Sequence, residues 1–168
     1  MVTISVALLL FSGSEGILAI PGDYTSVPAR PAARAGLWTI DTVTETVLSS
    51  SKEGAAERYV IRKRAQYCRG EGAPPGVGWL RSPDGQSYVR ARTPVTPHSS
   101  VQASTEVFSG DFDREYTHLT TTVQTKPATR PSTPISSTSF ASYTWVGECP
   151  SGMAIDDSRE LPMGSDSR

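Results

Sequence analysis

The sequence predicts an all-β protein, an antiparallel meander of about six strands that forms a curled sheet or a small barrel. Ser and Thr are abundant, and the β-branched residues Thr and Val suit a pleated surface better than a helix. Turn signals rich in Pro and Gly separate short segments of alternating polarity, and no segment of helical periodicity interrupts them. Parallel strands would need crossover helices, so antiparallel pairing is expected.

Two long strands are predicted in the first half of the chain, at residues 37–48 and 58–68. In the first, the apolar parity shifts between Ile40 and Val43, which indicates either a bulge or a change of buried face. The second alternates between an apolar and a polar face, as in an antiparallel sheet that is packed on one side and wet on the other. Its apolar face holds Tyr59, Ile61, Ala65 and Tyr67, and its polar face holds Arg62, Arg64 and Gln66.

Shorter segments of strand character follow, each bounded by a turn or a loop. A Pro-Asp-Gly turn at residues 83–85 separates two short strand candidates. Alternation then predicts strands within 100–112 and 114–125, and an aromatic strand closes the series at 140–149. Residues 126–139 are rich in Pro, Ser and Thr, which is typical of an exposed loop.

The chain divides into four segments by composition. Residues 1–19 form an apolar leader, 20–35 a linker rich in Pro and Ala, 36–153 the β domain and 154–168 a disordered tail. The apolar run from Val2 to Phe11 is too short to span a bilayer, for which roughly 20 residues are needed, and it matches the central region of a signal peptide. No Lys or Arg precedes the run, so an apolar strand of the mature domain and a membrane anchor remain as alternatives.

The net charge and the possible signal peptide predict which partners and which compartment to expect. The net charge is -1 and the isoelectric point is about 6.1, so no general attraction to nucleic acid is expected. If residues 1–19 are a signal peptide, the protein is periplasmic or secreted.

The chain has two cysteines, and each is the last residue of a predicted strand. In an exported protein two cysteines usually pair, and a curled meander can bring an early strand beside a late one. We therefore expect a disulfide between Cys68 and Cys149. The alternative is a pair of reduced, half-buried thiols.

The sequence gives little support for catalysis or metal binding. His98 lies in a loop and His118 in a strand, and both are interpreted as polar residues outside any catalytic group. Asp111, Asp113 and Glu115 alternate in a way that resembles a calcium loop, but the glycine and the further oxygen ligands of such a loop are missing. A hairpin turn whose carboxylates bond their own backbone is the favoured interpretation. No cofactor and no metal are expected.

The aromatic residues could line a ligand pocket inside a small barrel or could simply fill its core. Trp38, Tyr67 and Trp145 are the candidates for such a pocket. Arg62, Lys63 and Arg64 resemble a basic patch, yet strand alternation sends Lys63 to the opposite face from its neighbours, which favours an ordinary solvated surface.

Three segments, with a cysteine at the end of the second strand between the first two of them, resemble in their order an uncharacterised bacterial family, the domain-of-unknown-function family 3617. They are Ala35-Gly36-Leu37-Trp38, Ser109-Gly110-Asp111-Phe112 and Gly147-Glu148-Cys149-Pro150, and the resemblance covers about residues 35 to 153. Thr39 stands where the family usually has Glu. The resemblance implies a periplasmic or secreted bacterial β protein, and it implies no activity.

The expected function is therefore that of a non-enzymatic exported domain, which binds an envelope protein or serves as a structural component. A half-barrel carrier of a small apolar molecule or lipid is the first alternative, and an enzyme that uses His98 or His118 is the last.

Export has a direct test in the intact mass of the protein purified from its native host. We expect the mass to lack the leader at residues 1–19 and to fall two hydrogens short of the mass with both thiols reduced. A full-length mass with two free thiols would contradict both export and the disulfide.

Overall fold

A computed structural model describes residues 23–49, 56–72, 77–92, 101–125 and 135–162. Over these residues the chain forms a single antiparallel sheet of nine strands that does not close into a barrel. The all-β prediction is confirmed in its curled-sheet form. The strands are β1 (Thr25–Val27), β2 (Gly36–Ser49), β3 (Ala56–Arg69), β4 (Trp79–Arg81), β5 (Ser87–Arg92), β6 (Val101–Gly110), β7 (Glu115–Thr125), β8 (Ile135–Gly147) and β9 (Ser158–Leu161).

The strand order is β1-β4-β5-β6-β7-β8-β2-β3-β9. Strands β4 to β8 form the predicted meander, in which each strand pairs with the next along the chain. The first long hairpin, β2 and β3, lies instead on the far side of β8, because β2 pairs with β8 along nearly its whole length. An early strand, β2, therefore lies beside a late strand, β8, in the interior of the sheet.

The sheet curls towards the face on which its aromatic side chains converge. Trp38 of β2 and Tyr116 of β7 are separated by β8, yet their ring centroids lie 5.2 Å apart. Neighbouring strands lie about 4.8 Å apart, so rings two strands apart approach this closely when the sheet bends inwards. We call this the concave face and the opposite one the convex face.

The core lies on the concave face at one end of the long strands. Seven buried residues form it: Ala33, Trp38, Trp79, Tyr88, Phe108, Phe112 and Tyr116. Val27, Tyr143 and Trp145 pack against this cluster. Most of these rings meet edge to face or stacked, which adds directional attraction to the burial of apolar area.

The convex face carries one cross-strand row of apolar side chains. The strand register places Val43 opposite Phe140, Phe140 opposite Leu119, and so on across six strands. Directly opposed apolar side chains stabilise neighbouring strands. This row explains the parity shift of β2, because Ile40 faces the concave side and Val43 the convex side without a bulge between them. The row runs through Leu80, Val89, Val107, Leu119, Phe140 and Val43.

The long strands continue well past the core. Residues 56–64 of β3 are exposed on both faces, so the predicted packed side of this strand is wrong for Tyr59 and Ile61 and begins only at Ala65. Beyond the core, hydroxyl pairs join neighbouring strands on the concave face. Thr44 bonds Ser139 at 3.1 Å, and Thr46 bonds Ser137 at 3.4 Å.

Two short strands lie outside the predicted β domain. The linker at residues 20–35 contains β1, and the tail at 154–168 contains β9, which pairs with Arg64–Tyr67 of β3. The expectation of a disordered tail is therefore wrong for residues 158–161. These residues are held by a nearby crosslink and by the Arg159 guanidinium, which donates to the Gln66 side-chain oxygen. In the described part of the chain, no helix is long and apolar enough to cross a bilayer.

The predicted disulfide between Cys68 and Cys149 is present, with 5.5 Å between the two Cα atoms. Cys68 is completely buried at the end of β3, and Cys149 follows β8, so the crosslink joins the two strands that flank β2. The backbone of Cys68 also bonds the segment that leads into β9. Its amide donates to the Asp157 carbonyl, and its carbonyl accepts from the Asp156 amide.

Removing the crosslink is expected to cost much of the stability. In Cys68→Ala/Cys149→Ala, loss of a closed loop with a sequence separation of 81 lowers the free energy of unfolding by about 4 kcal/mol. Denaturant titration measures the difference between the oxidised wild type and the double variant. Reductant should lower the wild-type midpoint to that of the variant and leave the variant unchanged. A wild type that is indifferent to reductant would contradict the prediction.

Candidate functional site

The three aromatic residues proposed for a pocket lie in different surroundings. Trp38 is only 1% exposed, and its indole N–H donates to the Arg34 carbonyl at 2.9 Å. The Trp145 indole donates to the Ala35 carbonyl at 3.2 Å, and its ring lies 3.8 Å from the Arg34 guanidinium carbon. Both tryptophans thus hold the chain before β2 against the sheet, as core residues do.

Tyr67 lines a cavity of about 280 Å³ beside the crosslinked end of β3, and Trp145 lines a separate one of about 610 Å³. The Tyr67 hydroxyl donates to the Asp156 carboxylate at 2.5 Å. The linings of both cavities are rich in charged side chains, so neither has the apolar walls of a lipid pocket. The smaller cavity is lined by Tyr67, Arg69, Gly70, Glu71, Gly72, Ile155 and Asp156.

Arginine side chains enter the aromatic core from three separate parts of the chain. We call Arg30, Arg69 and Arg90 the basic cluster. Arg30, in the segment before β2, is 6% exposed, and its guanidinium carbon lies 4.1 Å from the centre of the Phe108 ring. Arg90 of β5 is 8% exposed and lies 4.2 Å from the Trp79 ring.

The members of the basic cluster have incomplete sets of hydrogen bonds. Arg90 is bound by the Glu106 carboxylate, 2.5 Å from its Nη2, while its Nη1 is buried without a partner. Arg30 donates from Nη1 to the Pro31 carbonyl at 2.9 Å, and its Nε is buried without a partner. The Nε of Arg69 is likewise unpaired. A buried charged donor without an acceptor is costly, so the cluster is suited to an added acceptor.

The electrostatic environment of Arg30 is positive. Burial lowers its pKa, and the charge of Arg69 lowers it further. The nearby hydroxyls of Tyr116 and Tyr143 stay protonated, because burial raises the pKa of each. Among the described residues, no carboxylate forms an ion pair with Arg30 or Arg69. The cluster therefore carries positive charge that one glutamate, Glu106, offsets only in part.

His118 lies on the concave face beside this cluster. Its ring stacks on Phe108 with 3.9 Å between centroids, and its Nε2 bonds the Thr120 hydroxyl at 2.9 Å. Burial lowers the pKa of His118, so the imidazole is neutral at pH 7. Glu106, whose charge acts on His118, is bound by Arg90 instead of orienting the imidazole as a catalytic triad requires. His98 lies outside the described residues.

The turn between β6 and β7 is held by Asp111. Its Oδ1 accepts the backbone amides of Asp113, Arg114 and Glu115 at 2.8 to 3.1 Å, which confirms the hairpin interpretation for this carboxylate. These bonds lower the pKa of Asp111. Gly110 precedes it at φ 136, where an added Cβ would lie 2.6 Å from the Glu115 carbonyl oxygen.

The basic triplet of β3 divides between the two faces, as alternation predicts. Arg64 forms a bidentate pair with Asp41 at 2.7 and 2.9 Å, whereas Lys63 binds Glu160 at 3.1 Å. These exposed pairs spread the charge, so the triplet does not form a concentrated patch. The basic cluster escaped the sequence analysis because its three arginines lie far apart along the chain and acquire a common environment only through packing.

Comparisons with protein-family models, with curated proteins and with solved structures found no match to this chain. The resemblance to the domain-of-unknown-function family 3617 stays a prediction.

Replacing Asp111 tests the turn. In Asp111→Ala we expect the free energy of unfolding to fall by about 1 kcal/mol at neutral pH, as when a helix cap is removed. The folded pKa is lowered, so this contribution is full above the ordinary value of 3.8 and is lost as the pH falls through the folded pKa. Thermal unfolding from pH 7 to pH 2 should show the two proteins converging. The exposed neighbour Asp113→Ala is the matched control, and an equal loss in that variant would argue against the turn mechanism.

Proposed function

We propose that this chain is a non-enzymatic binding protein of an oxidising compartment outside the cytoplasm, and that it binds the anionic group of its ligand at the basic cluster. The disulfide and the apolar leader support the location, as does the resemblance to an exported family. An anionic ligand takes the place of the apolar ligand considered from the sequence, because the core is filled and the cavities have charged linings.

The observation that carries the proposal is the burial of Arg30 without a carboxylate partner among the residues that the structure describes. A guanidinium cannot lose its proton at neutral pH, so burial leaves its charge in place. One face of the Arg30 guanidinium stacks on the Phe108 ring, and one of its N–H groups donates to the Pro31 carbonyl. A phosphate or carboxylate oxygen would supply the missing acceptor, and guanidinium groups match such oxygens in geometry.

Arg69 gives the ligand a route towards this site. It belongs to the lining of the cavity of about 280 Å³, and its charge also acts on Arg30. The cavity opens beside the crosslinked end of β3, where the disulfide restrains the backbone. An anion that enters there would be attracted by Arg69 and, at longer range, by Arg30, against the opposing charges of Glu71 and Asp156 in the same lining. Binding to a restrained site loses less entropy on association.

Anion binding is tested by thermal unfolding in phosphate, sulfate or acetate, compared with chloride at equal ionic strength. We expect the polyatomic anions to raise the Tm of the wild type, with about 2.7 kcal/mol of stabilisation at a hundred times the Kd. Arg30→Met, which keeps a long apolar side chain, should lose the response. In chloride that variant should be as stable as the wild type or more so, because an uncompensated buried charge has been removed.

Arg62→Met is the matched control, since it removes a surface arginine of β3 and should keep the full response. Vesicles distinguish the source of the anion: pelleting with phosphatidylglycerol but not with phosphatidylcholine would indicate a lipid headgroup, and no pelleting would indicate a soluble anion. No stabilisation by any anion, or an unchanged response in Arg30→Met, would overturn the proposal.

A further inference from the structure

Strand β3 has a long outer edge that no described strand covers. Its partner on that side, β9, pairs only with Arg64–Tyr67. Among the described strands, residues 56–63 pair with β2 on the inner side and with none on the outer side. An open edge of this length is a template for another strand, and proteins usually shorten or cover such edges.

The alternation of the backbone shows which groups are free. The amide and carbonyl of Cys68 both point outwards, because they bond Asp157 and Asp156 on the β9 side. In an antiparallel strand the direction of these groups alternates with each residue, and the register of β2 with β3 has no shift. The even-numbered residues of the uncovered edge therefore direct their amides and carbonyls outwards. These are Ala56, Arg58, Val60 and Arg62.

The centre of this edge is apolar and exposed. Tyr59, Val60 and Ile61 are 51%, 57% and 55% exposed, and they are consecutive. Three adjacent large apolar residues on an uncovered strand favour addition of a second strand, which would cover both their side chains and the free backbone groups. Charged residues lie to either side of them.

We infer that two copies of this chain pair through their β3 edges, antiparallel, about a two-fold axis at Tyr59. This register places Tyr59 opposite Tyr59 of the second copy, and Arg58 opposite its Val60. All four outward-facing residues then form hydrogen-bonded pairs: Ala56 with Arg62 of the second copy, Arg58 with its Val60, and the two symmetry-related pairs. The two sheets then join into one continuous sheet.

Electrostatic interactions favour the register with its axis at Tyr59 over the register with its axis at Val60. With the axis at Tyr59, Arg62 lies opposite Ala56 of the second copy, and Glu57 lies diagonal to its Lys63 on the same face, so opposite charges are neighbours. Within its own chain Lys63 is bound to Glu160, and Glu57 accepts from the Tyr59 hydroxyl, so this contact adds attraction to existing bonds. An axis shifted to Val60 would set Arg58 opposite Arg62 of the second copy, which is repulsive, and would form fewer backbone pairs. Within its own chain Arg58 is already bound to Glu45 at 3.2 Å.

The same features favour a second copy over an unrelated acidic peptide. The edge carries its own acidic residue, Glu57, beside the basic ones, and a uniformly acidic strand would meet it with like charge. A second copy offers Lys63 there and apolar side chains at the centre. The inference rests on the strand edge alone and is independent of anion binding at the basic cluster.

Sedimentation velocity over a range of concentrations tests the pairing. We expect a reversible dimer for the wild type and an increase of more than tenfold in the dimer Kd for Val60→Pro. That substitution removes an outward amide and spares the bonds between β2 and β3, so the circular dichroism spectrum should stay unchanged. A wild type that remains monomeric at the highest soluble concentration would overturn the inference, as would a dimer that Val60→Pro leaves intact in a folded protein.

Crosslinking tests the register separately. Under mild oxidation Tyr59→Cys should form an intermolecular disulfide, because residues that face each other across the axis in a non-hydrogen-bonded pair have Cα atoms about 4.5 Å apart. Ile155→Cys is the matched control, since Ile155 is 61% exposed but lies away from this edge. Non-reducing gel electrophoresis measures both rates. Crosslinking of Tyr59→Cys no faster than the control would overturn the register at Tyr59.

Discussion

Burial of aromatic side chains on one face of a single sheet is the interaction on which the rest of this structure depends. The described residues form a sheet of nine strands with no helix or second sheet packed against it, and such a sheet excludes water by bending over its own side chains. The bend lets Trp38 reach Tyr116 across an intervening strand, and it lets the segment before β2 close over the cluster with Ala33 and Arg30. The disulfide then fixes the strands that flank β2, at the end where the aromatic residues are concentrated.

The same bend accounts for the unusual placement of charge. Arginine has a flat guanidinium that stacks on aromatic rings, so it can enter an aromatic core where an ammonium group would stay at the surface. Arg30 on Phe108 and Arg90 on Trp79 both follow this rule, but only Arg90 has an ion pair with a carboxylate. Stacking compensates for part of the lost hydration and leaves donors of both side chains unsatisfied. A buried charge without a partner destabilises the fold, and the proposed anion would relieve that cost.

Local sequence patterns were enough to predict the fold class, most strands and the cysteine pairing, because alternation, turn residues and strand ends are features of neighbouring residues. The position of β2 between β3 and β8 could not be predicted, because strand order depends on long-range pairing. The exposure of Tyr59 and Ile61 was missed for a related reason: alternation shows which residues share a face, but not where the core ends along a strand. The basic cluster was missed because each of its arginines has an ordinary sequence context. Of the proposed pocket residues, Tyr67 lines a cavity, whereas Trp38 is core.

The hydroxyl pairs beyond the core give the two ends of the sheet different kinetics of opening. At one end only part-buried hydroxyl pairs, Thr44 with Ser139 and Thr46 with Ser137, supplement the backbone ladder, while the other end is packed and covalently closed. Backbone amides should therefore exchange with solvent in a gradient along the same strand, fastest at the hydroxyl-lined end and slowest beside Cys68. A single strand such as β2 thus belongs to two units of local stability, and the boundary between them lies where aromatic side chains give way to threonines.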